Sequence, residues 1–142
     1  MRELITLLLM WIGQTLPGYN VDLPHPTVIM LHPQELINQY HATSGAKTNH
    51  IEELWAYYNT RNQTIYLRQD FRQYDPWHQS ILLHELLHHV QYHNKVEFQC
   101  INQMEEEAWP LQKQYLKEFH NIDWNYDQLW YLMISTCPMS PG

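Results

Sequence analysis

A chain of 142 residues with 44% hydrophobic residues, six Trp and ten Tyr reads as one folded domain spanning 1–142, large enough for a core and small for a two-lobed enzyme. Eight Lys plus Arg against fifteen Asp plus Glu leave a formal charge of −7, which argues against nucleic acid as a partner because phosphate contacts need a basic surface. Cys100 and Cys137 form no CxxC pair and so exclude a metal ribbon. They read either as a disulfide pinning the C-terminal segment to the helix carrying Glu105, a mark of an oxidising compartment, or as two reduced buried thiols.

In chain order, Leu4 to Ile12 is an apolar run too short to span a membrane, so no transmembrane segment is expected. Gly13-Gln14-Thr15-Leu16-Pro17 lacks a small-residue cleavage site, so the run reads as a core-packed helix ending near Gly13 in preference to a secretory leader. Pro24 to Pro26 is an extended connection into the β-prone Thr27 to Leu31, and Pro33 opens a helix to about Tyr40. His41 to His50 reads as a loop. Leu54 to Tyr58 and Thr64 to Leu67 then form a hairpin signal. A helix is expected from Pro76 to Tyr92, with Asp75 as N-cap and His93-Asn94 as its stop. Another is expected from Phe98 to Phe119, kinked or broken at Pro110, and a last apolar one from Asp127 to Thr136, followed by a loose tail from Pro138. This order predicts an α+β fold, with a small antiparallel sheet packed on the Pro76–Tyr92 helix and C-terminal helices beyond it.

That helix carries His84-Glu85-Leu86-Leu87-His88. At about 100° per residue, positions i and i+4 project from nearly one face, so the two imidazoles can share a metal ion. Glu85 lies one residue around, placed to act on a water molecule at the metal without ligating it. Ile81, Leu82, Leu83, Leu86, Leu87 and Val90 make the helix apolar over most of its circumference, and burying histidines and a glutamate there is expensive unless they are paired or bound to metal. Zinc held by two histidines needs a third protein ligand, and Glu105-Glu106-Glu107 is the obvious source. No third histidine follows at the HExxHxxGxxH spacing. His89 sits roughly 140° around the helix from His84, which favours a structural or surface role. His78, His93 and His120 show no partner pattern.

The pentad is the HExxH pattern, and with Glu105-Glu106-Glu107-Ala108 it resembles the gluzincins, zinc metallopeptidases in which a second helix supplies a zinc-binding glutamate, often as ExxA. His84-Glu85-Leu86-Leu87-His88-His89-Val90-Gln91 is also similar to the HELxHxxQ form of small bacterial zincin domains. The resemblance covers Leu54 to Gln112. It implies a minimal zincin-like fold, Zn2+ held by His84, His88 and Glu105, with Glu106 as the alternative register, and Glu85 as general base in the hydrolysis of a peptide or protein substrate. It further implies a sheet edge, expected at Thr64 to Arg68, that pairs with an extended peptide. Trp109 departs from the family pattern, which often has a polar residue there to orient a ligand histidine, so that support is sought from Glu106, Glu107 or Gln112. Tyr92, Tyr115, Tyr126 and Tyr131 are the candidates for an oxyanion stabiliser, with packing as their default role. The alternative reading is a non-catalytic zinc-binding or interaction domain, against which an intact Glu85 argues.

Overall fold

The computed structural model describes residues 1–44 and 54–138. Its elements are α1 (Arg2–Thr15), β1 (Thr27–Leu31), α2 (Pro33–Ser44), β2 (Ala56–Asn59), β3 (Thr64–Arg68), α3 (Pro76–His93), α4 (Glu105–His120) and α5 (Gln128–Ser135), with a 3-10 turn at Ile101–Met104 before α4. The fold is α+β. α2 covers one face of the sheet through Leu36, which packs with Tyr57 and Tyr66, and α1, α3 and α4 build the main core on the other.

The sheet is mixed, where an antiparallel one was expected. β2 pairs antiparallel with β3 as the hairpin signal implied, but β1 joins parallel to β3, in the order β1-β3-β2. Parallel pairing needs a crossover between the strands, and α2 lies within that crossover. The expected sheet edge is therefore corrected. Thr64 to Arg68 is the central strand, and its four consecutive buried residues, Thr64, Ile65, Tyr66 and Leu67, are what a strand covered on both faces requires. Among the described strands the edge beside α3 is β2.

α3 begins as its sequence dictates. The Asp75 carboxylate accepts from the backbone N–H groups of Trp77 (2.9 Å) and His78 (3.1 Å), and Pro76 occupies the first turn. Leu82, Leu83, Leu86, Leu87 and Val90 are fully buried, each burial contributing roughly 1.5–3 kcal/mol, which makes α3 the axis of the core. At its end the Asn94 side chain donates back to the Val90 carbonyl (2.8 Å).

The helix expected from Phe98 starts only at Glu105, and it continues through Pro110 without a break. Pro110 has no N–H to give the carbonyl four residues earlier, that of Glu106. The Tyr131 hydroxyl of α5 donates to that carbonyl at 2.6 Å, so a partner from another helix replaces the missing bond. α5 is also tied to the turn before α4 by the Cys100–Cys137 disulfide and by Asn102 Nδ2 donating to the Thr136 carbonyl (3.1 Å). The loop expected from His41 begins later, because α2 runs on to Ser44; the rest of it, like the tail from Met139, lies outside the described residues. Among the described residues no helix is long and apolar enough to cross a membrane.

Candidate metal centre

α3 and α4 pack side by side, and that contact brings His84, His88 and Glu105 together, with one ligand atom from each within 4.8 Å of the others. Glu105 is the first residue of α4, and its carboxylate spans the two imidazoles: Oε2 lies 2.8 Å from His84 Nε2 and Oε1 lies 3.0 Å from His88 Nε2. Glu106 is not at the site. Its carbonyl is engaged by Tyr131, on the α5 side.

The opposite nitrogen of each ring is fixed by a glutamine. His88 Nδ1 lies 2.9 Å from Gln91 Oε1, and His84 Nδ1 lies 3.0 Å from Gln112 Oε1. The polarity of both contacts follows from what lies behind them. Gln91 Nε2 faces only acceptors, the Met104 carbonyl (3.2 Å) and Glu107 Oε1 (3.1 Å), so its Oε1 is the acceptor from His88. Ser80 Oγ donates to the Trp77 carbonyl (2.7 Å) and so receives the Gln112 amide N–H (3.0 Å), leaving Gln112 Oε1 to accept from His84. Each histidine thus carries a proton on Nδ1 and directs Nε2 toward Glu105, so that loss of the Nε2 proton would leave the tautomer that a metal ligand of this type needs. The Tyr19 hydroxyl in turn donates to Glu107, so the chain of bonds reaches the segment after α1.

The charges are balanced around the same atoms. Burial alone would pull the His84 pKa down, but the adjoining Glu105 carboxylate outweighs it and pushes it up to about 9. His88 is raised in the same way, burial again opposing and Glu105 prevailing. Burial opposes ionisation of Glu105, yet the two imidazoles hold its carboxyl far below the usual range. A carboxylate set between two imidazoles that it helps to protonate is a pattern a cation can replace. His, His and Glu with both rings held through Nδ1 are a donor set that suits zinc. Trp109, the departure from the expected pattern, donates from Nε1 to Glu105 Oε2 (3.2 Å), the oxygen that also faces His84.

Glu85 is 8% exposed and does not join the cluster of ligand atoms. Burial raises its carboxyl pKa, against the pull of His84 and His88. Together with His84 it borders two cavities. The larger, of about 700 Å³, extends past His88 toward β2 and α5; the smaller, of about 260 Å³, is lined by Trp55, Trp109 and Trp124. Ala56 of the edge strand and Trp109 border both, so the cleft runs along β2 and across the candidate ligands.

A family model described as a domain of unknown function (DUF6647) matches residues 1–140. The chain belongs to this family. No curated protein matches it, and no solved structure does.

Of the supports sought from the sequence, Gln112 orients His84 directly, Glu107 acts through Gln91, and Glu106 contributes its carbonyl to the α5 contact. The orienting role of Gln91 was missed, although its position three residues after His88 puts it on the same helix face. His89 is fully buried and structural: one ring nitrogen faces the Pro24 carbonyl (2.8 Å) and the other the Tyr58 hydroxyl (2.8 Å), which pins β2 to α3. None of Tyr92, Tyr115, Tyr126 and Tyr131 lines the cleft. The Tyr115 hydroxyl is spent on Gln79 (2.6 Å), and Tyr126 stacks on Tyr131.

Proposed function

We propose that this chain is a zinc-dependent peptidase in which His84, His88 and Glu105 hold the ion and Glu85 is the general base. The observation that carries the reading is the convergence of three ligand atoms within 4.8 Å, with both imidazoles held through Nδ1 so that their Nε2 atoms point at the shared position. Zinc bound there supplies a Lewis acid for a scissile carbonyl and lowers the pKa of a coordinated water toward ~7. Glu85 borders both cavities, where it can take a proton from water and pass it to the leaving amine. β2 offers an edge along the cleft to which an extended peptide can add as a strand, so main-chain hydrogen bonds supply affinity and the flanking cavities receive side chains.

The test is bound zinc and hydrolysis of a mixed peptide library, for the wild type and for Glu85→Gln. Retained zinc with a rate loss of roughly 10²–10⁴ in the variant is expected. Stoichiometric zinc with no cleavage of any peptide or protein substrate would assign the chain to the non-catalytic zinc-binding alternative, and absence of zinc binding would remove both readings.

A further inference from the structure

The larger cavity has one wall that the zinc reading does not use. α5 turns Trp130 and Ile134, four residues apart and so on one helix face, into the same cavity that His84 and His88 border. Trp130 is nevertheless 53% exposed, Ile101 lines the same cavity from the turn before α4 and is exposed as well, and Leu129 and Met133 of α5 add exposed apolar side chains. Large apolar side chains exposed at a cavity mouth on a chain of net charge −7 call for a partner that covers them. The wall is also fixed in advance. The disulfide, the Tyr131 bond to the Glu106 carbonyl and the Asn102 bond to the Thr136 carbonyl attach α5 to the residues on either side of Glu105. A prearranged apolar surface loses little freedom when it is covered.

We propose that the exposed face of α5 is the docking wall for an extended polypeptide segment with large apolar side chains, one of which enters the cavity beside His88. This deepens the peptidase reading and rests on it for the path of the chain along β2. Continuity of the patch with the cavity selects this occupant: a segment pairing with β2 on one side of the cleft has α5 on the other. The net negative charge selects against acidic segments. Trp130 is the anchor, since a large aromatic side chain that is half exposed at a cavity mouth gains the most contact when covered.

The experiment uses the full chain with Glu85→Gln, loaded with zinc, so that binding is read without turnover. Two labelled peptides of the same length are compared by fluorescence anisotropy, one with central Leu and Phe and the other with Asn and Ser at those positions. The apolar peptide should bind at least tenfold more tightly, and Trp130→Ala in the same background should remove most of that difference, a roughly tenfold loss, with zinc content unchanged. Leu129→Asn, at an exposed position, should lower the same affinity to a smaller degree, and Leu7→Ser on α1 should leave it unchanged. Equal binding of the two peptides, no binding of either, or an apolar preference that survives Trp130→Ala and Leu129→Asn would overturn the proposal. Self-association abolished by these substitutions with peptide binding untouched would assign the patch to a second copy and overturn it too. Cleavage of the library by the wild type is scored separately: cleavage without apolar preference removes the docking wall alone, and binding without cleavage removes the peptidase alone.

Discussion

The two sides of the cleft are built on opposite principles. On the α3–α4 side both imidazoles and the Glu105 carboxylate have hydrogen-bond partners, and Ser80, Gln91 and Gln112 are buried supports for the two imidazoles. On the α5 side apolar side chains face outward, and the helix is held by one disulfide and a few hydrogen bonds. The first side is overdetermined, so a change there should appear in the affinity for metal. The second is attached as a unit, so a change there should appear in stability and in what the cleft accepts.

The largest expected effect that separates the two sides comes from replacing Cys100 and Cys137 together by serine. The bridge closes a loop with a sequence separation of 37, which in the chain-entropy picture contributes roughly 4 kcal/mol, so the urea midpoint should fall markedly. Zinc stoichiometry should survive, because no ligand depends on the bridge for its hydrogen bonds; its loss would show that the two sides are one unit. Next in size is Gln91→Leu, which removes the acceptor of His88 Nδ1 with little change of volume. A 10–100-fold weaker zinc affinity is expected from competition with a chelating dye, and an unchanged affinity would mean that packing alone orients the ring. The smallest is Tyr131→Phe. It takes the hydroxyl from the Glu106 carbonyl that Pro110 leaves without a helical partner, a loss of about 1 kcal/mol in chemical unfolding with zinc affinity unaltered.

Legibility in the sequence followed the range of the interactions. Asp75 and Pro76 marked the start of α3, and the pentad's spacing put His84 and His88 on one face, because capping and helical phase act within a few residues. The hairpin was readable from its two β-prone runs, whereas β1 joining parallel to β3 was not, since a short apolar run states nothing about its partner or direction. That omission misplaced the sheet edge. Pro110 predicted a break because local pattern shows a missing donor and cannot show that Tyr131, 25 residues after Glu106, supplies one. The Gln91 role was readable from an i, i+3 spacing, but the polarity of its amide required Met104 and Glu107 to be in place behind it.

The chain's own pattern therefore establishes α+β content, the helix that carries the pentad and the acidic cluster from which a third ligand would come, all of them products of short-range periodicity, capping and spacing. Packing supplies the rest. Docking of α4 on α3 puts Glu105 and not Glu106 between the imidazoles, turns Gln91 and Gln112 onto their outer nitrogens, and sets β2 along the cleft with α5 as its apolar wall. Those relations join residues far apart in sequence, and their register is a property of buried surfaces fitting together, which no local stretch of the chain encodes.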